Sequence, residues 1–184
     1  MQRAKLLPLF IVFLFSLSCS LDYDEIEFAE KLGDNIPDNV IENFAYTSVN
    51  NGNIVFRLYA QRAETYSQKD KTILQDVIFR EYNSDNKITT EGTAEKGIIH
   101  TDSDDAELSG SLIIYSADNE AEISADYLYW NDLEKTLSSS DNGNVKLIKD
   151  SGTEISGTGF KGDMKTKRFD FKSNVKGIYH YEED

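Results

Sequence analysis

Leu108-Ser109-Gly110-Ser111-Leu112-Ile113-Ile114, then the step Asp118-Asn119, then Glu122-Ile123-Ser124-Ala125-Asp126-Tyr127-Leu128-Tyr129: this stretch decides the fold class. In the first run Leu108, Gly110, Leu112 and Ile114 alternate with Ser109, Ser111 and Ile113. In the second, Ile123, Ala125, Tyr127 and Tyr129 alternate with Glu122, Ser124 and Asp126. Successive side chains of a strand point to opposite faces, so a period of two with one apolar set marks a half-buried strand. An Asp-Asn step between two such runs turns the chain back on itself.

The same reading extends in both directions. Ile54, Phe56, Leu58 and Ala60 fall on one face, with Arg57 and Gln61 on the other. Val77 and Phe79 share a face with Gln75 and Glu81, and Phe169 and Phe171 alternate with Asp170 and Lys172. Turn signals separate these runs at Asn51-Gly52, Ser84-Asp85-Asn86, Asp141-Asn142-Gly143 and Asp150-Ser151-Gly152. No proline follows Pro37, so none demotes a strand, and ten Tyr with ten Phe suit a sheet protein. A small residue opens a strand at Ala60, Ala94, Ala125 and Gly157, at spacings of 34, 31 and 32. A unit of that size is two strands and two turns, which predicts stacked hairpins in a long sheet sandwich or open-sided roll. An ordinary meander with average loops is the competing account of the same spacing.

The N-terminus has a different character. Arg3 and Lys5 precede an apolar run from Leu6 to Phe15, and small or polar residues follow at Ser16, Ser18 and Cys19. This is the layout of a secretory signal over residues 1–18. The run falls short of the roughly 20 apolar residues a spanning helix needs. Cys19 is the only cysteine, so no internal disulfide is possible. Leu17-Ser18-Cys19 resembles the lipobox of bacterial lipoproteins, in which the cysteine is acylated, although Ser16 stands where Leu is preferred. Residues 19–39, acidic and carrying Gly33 and Pro37, read as a lipidated Cys19 followed by a tether, and 40–184 as one domain. The formal net charge of −14 becomes −16 once residues 1–18, with two cations and no acid, are removed. Phosphate binding needs a basic footprint, so nucleic acid is set aside as a partner.

The sequence carries few residues suited to catalysis or metal binding. His100 and His180 are the only histidines, too few for a zinc site or a Ser-His-Asp arrangement in these contexts. Asp102, Asp104, Asp105 and Glu107 form the best metal candidate, but the stretch lacks the central glycine of a calcium loop and reads as a solvated turn. Gly157-Thr158-Gly159-Phe160-Lys161-Gly162 follows a strand and precedes no helical pattern, so bend or bulge glycines explain it better than a nucleotide loop. The chain is read as no enzyme, with no cofactor and no metal.

Taken in order, several residues resemble the LptC family, the periplasmic component of the lipopolysaccharide export machine. They are Phe44; the turn and strand from Gly52 to Leu58; Ala60, Ala63 and Tyr66; Asp76-Val77 with Tyr82; Ala94 and Gly97; Leu108-Ser109-Gly110; Ala125-Asp126; Gly157-Thr158-Gly159-Phe160; and Val175-Lys176-Gly177. The resemblance spans roughly residues 41–179. It implies an antiparallel β-jellyroll of two facing sheets, open at the ends. It implies a protein that accepts lipopolysaccharide or a related glycolipid from LptF/LptG-like membrane subunits of an inner-membrane ABC transporter. The cargo then passes to an LptA-like bridge protein.

On that reading Phe56, Leu58, Val77, Phe79, Leu112, Ile114, Tyr127, Tyr129, Phe160, Phe169 and Phe171 line the lipid-binding interior. The edge with Phe44 and Tyr46 faces the transporter, and the edge with Val175, Gly177 and Tyr179 pairs with the bridge protein. The domain is expected on the periplasmic side of the inner membrane, held by a lipid on Cys19 in place of the family's usual transmembrane helix. The competing expectation is a structural or surface-binding β-sandwich lipoprotein with a solid core and no lipid cargo.

Overall fold

A computed structural model describes residues 36–180. The expected signal segment, Cys19, most of the expected tether and the acidic end Glu182–Asp184 lie outside the described residues. Ten strands form one antiparallel sheet: β1 (Asn39–Asn50), β2 (Asn53–Tyr66), β3 (Lys71–Tyr82), β4 (Ile88–His100), β5 (Ala106–Ser116), β6 (Ala121–Asn131), β7 (Thr136–Ser138), β8 (Asn144–Lys149), β9 (Glu154–Asp163) and β10 (Arg168–Ile178). Strands β1 to β6 pair in chain order. The outer side of β6 is shared, with β7 on its Tyr129–Asn131 end and β8 on its Ala121–Ala125 end; both then pair with β9, and β9 with β10. The chain is all-β, as the alternation predicts.

Local chemistry explains the tight connections. At the β1–β2 hairpin Asn51 has φ +50° and Gly52 φ +82°. Two positive φ values make the turn whose twist matches that of the flanking strands, and Asn-Gly is the pair that tolerates it. The sheet then curls so that residues of β2 to β5 and of the β9–β10 turn line the same interior space. One core results, with Leu74, Val77, Leu112, Leu128, Val145 and Phe160 fully buried. The Phe160 ring lies 6.0 Å from that of Phe169 and 5.3 Å from that of Phe171.

A crease crosses the sheet, and it corrects the expectation of unbroken alternation. On β2 the buried residues are Leu58, Ala60 and then Ala63; on β3, Leu74 and then Val77; on β4, Gly92, Ala94 and then Gly97; on β9, Gly157 and then Phe160 and Gly162. Each step across the crease is three residues, so the inward phase switches once on each of these four strands. One row, Ala60–Val77–Ala94, lies on one side of it. On the other side the ladder aligns Ala63, Leu74, Gly97, Leu108 and Leu128 across five strands. The register of β5 slips against both neighbours between Ser109 and Leu112, where Gly110 (φ +78°) and Ser111 (φ +43°) form a bulge. Asn43, Asp76, Gly159 and Asn174 also take positive φ along this line. Gly, Asn and Asp are the residues that enter the left-handed region most readily, and bulges bend the strand that carries them.

The crease changes three sequence readings. Leu74, not Gln75, shares the inward face with Val77. Ala60, Ala94, Ala125 and Gly157 do not open strands; they sit mid-strand beside the crease, on every second strand of the sheet path. Tyr127 and Tyr129 do not continue the inward set of Ile123 and Ala125, because Leu128, with 0 % exposure, takes the interior position between them.

Candidate functional site

The curled sheet leaves apolar space on its inner side. A chamber of about 830 Å³ is lined by Phe56 and Leu58 of β2, Leu74, Val77 and Phe79 of β3, and Gly97 and Ile99 of β4, with Tyr46 of β1 and Leu108 of β5. A second, of about 340 Å³, is lined by Ile114, Ala121, Ile123, Leu137 and Phe169. Sites for small molecules usually span ~300–1,000 Å³ and are mostly apolar with a few polar groups. Phe79, Glu81, Trp130 and Met164 border both chambers.

Polar groups reach the larger chamber from the turns. Lys135 Nζ lies 2.6 Å from Asp132 Oδ1 and 5.8 Å from the centre of the Trp130 ring, whose Nε1 donates to Asp132 Oδ1 at 3.3 Å. The ammonium of Lys135 holds the Asp132 carboxyl below the ordinary carboxylate range, with the indole N–H adding to it. Lys165 donates to the Leu133 carbonyl at 3.2 Å.

The eleven residues expected to line the interior divide three ways. Phe56, Leu58, Val77 and Phe79 face the larger chamber; Phe79, Ile114 and Phe169 face the smaller. Leu112 and Phe160, each 1 % exposed, lie in the packed core, and Phe171 packs against it. Tyr127 and Tyr129 are the corrections. Their hydroxyls donate to Glu107 Oε2 (3.0 Å) and Asp105 Oδ2 on the outer face. His100 Nε2 is 2.9 Å from Glu107 Oε1 in the same network. The hydrogen bond from His100 comes first in keeping the Glu107 carboxyl low, and burial followed by Glu107 pushes the Tyr127 phenol up to about 12. Asp105 also accepts the Asp132 backbone N–H at 2.8 Å, so it caps the β6–β7 turn. Asp105 and Glu107 therefore serve structural partners; among the described residues no three His, Cys, Asp or Glu side chains converge as a metal site.

Sequence reasoning missed Trp130, Leu74, Leu128, Leu137, Val145, Leu147 and Met164. Val145 and Leu147 carried a legible signal, alternation between Gly143 and Asp150. Leu74, Leu128 and Trp130 lie beyond the crease, where the phase has switched.

Strands β1 and β10 end the sheet path, so the expected edge residues Phe44 and Tyr46 lie on one edge strand, Val175 and Gly177 on the other, and Tyr179 just past its end. Phe44 packs against the core and Tyr46 borders the larger chamber, so these two line the inside of the edge. Val40, Val49, Val175 and Ile178 are exposed along the two edges. Unpaired N–H and C=O groups with apolar side chains invite another strand.

The family model described as "Lipopolysaccharide-assembly, LptC-related" matches residues 9–180. The chain belongs to the LptC family. That membership makes it a component of lipopolysaccharide transport, periplasmic and without enzymatic turnover. No curated protein matches it by sequence. Among solved structures it is similar to LptH of Pseudomonas aeruginosa, the LptA-homologous periplasmic component of that organism's lipopolysaccharide transport device. The TM-score is 0.55 at 12 % identity, over 68 % of this chain and 95 % of that one. The likeness shows an LptA-like jellyroll fold for this LptC-related chain.

Proposed function

We propose that this protein takes the acyl chains of lipopolysaccharide, or of a related glycolipid, into the interior of its curled sheet and hands them onward. The observation that carries this reading is the apolar chamber of about 830 Å³ bordered by Phe56, Leu58, Val77 and Phe79. A domain this size could have filled that space with side chains. The acidic balance of the chain offers an anionic headgroup no general attraction, so affinity comes from burying hydrocarbon, at about 25 cal/mol per Å². Moderate affinity suits a carrier that must release what it binds.

The two edges supply the route. Strand β1 offers its edge to LptF/LptG-like transporter subunits, and β10 to an LptA-like bridge protein, each by strand addition. A lipid on Cys19 would hold the domain beside the inner membrane. Stable anchoring takes more than one acyl chain, which a lipoprotein cysteine carries.

The test places a photo-crosslinking amino acid at Phe79, and separately at Val175, in living cells. Lipopolysaccharide adducts at Phe79 and protein adducts at Val175 are expected. A folded protein that captures no lipid at Phe79 contradicts the carrier reading; one that captures lipid but no protein at Val175 contradicts only the edge assignment.

A further inference from the structure

Met164 borders both chambers. Of the four residues that border both, Glu81 is exposed, so Phe79, Trp130 and Met164 separate the chambers from within. Two of these are held in place. The Phe79 ring rests on Gly92, where an added Cβ would lie 2.5 Å from its Cζ, and it stacks at 6.4 Å on Phe56. Trp130 is fixed by its hydrogen bond to Asp132 and by Lys135 over its face.

Met164 differs from both. Its backbone N–H donates to the Lys135 carbonyl at 3.0 Å, which pins the β9–β10 turn to the β6–β7 turn. Its side chain is unbranched with three rotatable bonds, and it is half-buried. The methyl end lies where Gly162 leaves room: a Cβ there would come within 2.8 Å of Met164 Cε. Of the three residues between the chambers, two are held by ring and hydrogen-bond contacts, and Met164 alone carries an unbranched side chain with three rotatable bonds.

We infer that Met164 is a gate for hydrocarbon length. A short acyl chain stays in the larger chamber, and a long one turns the Met164 side chain aside and continues into the smaller chamber. This rests on the carrier reading above and adds a specificity residue to it. Each further methylene that finds a dry seat strengthens binding about fourfold, so the second chamber selects for longer chains.

The experiment uses decanoate and palmitate carrying a diazirine at the terminal carbon, added to membranes holding the full-length protein, with adducts mapped by mass spectrometry. Decanoate should label residues of the larger chamber, such as Leu58 and Ile99. Palmitate should label residues of the smaller one, such as Ile114 and Ile123. Met164→Trp, which fills the seam, should cut palmitate labelling of the smaller chamber by about tenfold while larger-chamber labelling persists. Gly162→Ala, which crowds the Met164 methyl into the seam, should act in the same direction. Palmitate and decanoate labelling the same residues would overturn the gate and leave the carrier reading standing. So would smaller-chamber labelling unchanged in both variants. Absence of interior labelling by either chain would overturn the carrier reading and the gate with it.

Discussion

The two sides of the crease are built from the same strands and obey opposite rules of phase. On one side β6 sends Ile123 inward and β3 sends Val77; on the other they send Leu128 and Leu74. The difference comes from a line of positions that take positive φ, Asn43, Asp76, Gly110, Ser111, Gly159 and Asn174, at which the ladder bends and the inward set shifts. Binary pattern specifies a face only as far as the next bulge. The consequence is functional, because the larger chamber draws Phe56 and Phe79 from one side and Leu74, Gly97 and Trp130 from the other.

The largest test of this comparison sets Leu128 against its neighbour. Leu128→Ala opens a cavity at a residue with 0 % exposure and should cost about 2–5 kcal/mol, read from urea unfolding. Tyr129→Phe, one position on, removes a hydrogen bond on the outer face and should cost about 1 kcal/mol. A Tyr129 variant as damaging as the Leu128 one would break the assigned phase. A smaller effect is expected on the crease itself. Asp76 has φ +52°, so Asp76→Val should lose about 1–2 kcal/mol and Asp76→Gly should be neutral or stabilising. If valine is tolerated there, the strand does not bend as described.

The smallest effect concerns the outer face alone. The Glu107 carboxyl is held low, first by His100. A depressed carboxyl stabilises the fold above its unfolded pKa, and that stability is lost as pH falls through the folded value. Stability should therefore fall on acidification below roughly pH 4. Glu107→Gln should flatten that part of the profile, monitored by thermal melting at a series of pH values. A variant profile parallel to the parent would show that the network contributes nothing.

The sequence declares much of this and conceals a definite part. Alternation in 108–114 and 54–60, with Asn51-Gly52 between strands, announces an antiparallel all-β fold, because a period of two fits the pleat of a strand and not the 3.6-residue turn of a helix. The ordered residues from Phe44 to Gly177 announce the family. The spacing of Ala60, Ala94, Ala125 and Gly157 is visible, but its meaning is not: they line up beside the crease only after the strands pair. The inward set of β6 departs from simple alternation at Tyr127 and Tyr129 because the bulge that shifts it lies on β5, at Gly110 and Ser111. A neighbouring strand's bulge leaves no local mark. Trp130 and Met164 are hidden for a related reason, since they line the same chambers as Phe79 only when the sheet has curled.

The most direct measurement compares two adjacent residues of β2. Leu58 is buried and borders the larger chamber, and Tyr59 is exposed, paired with Ala45 and Ile78 on the outer face. A photo-crosslinking amino acid is placed at one or the other in cells exporting lipopolysaccharide. Lipopolysaccharide adducts are expected at Leu58 and none at Tyr59. Adducts at Tyr59 with none at Leu58, in a protein that remains folded, would contradict the carrier reading.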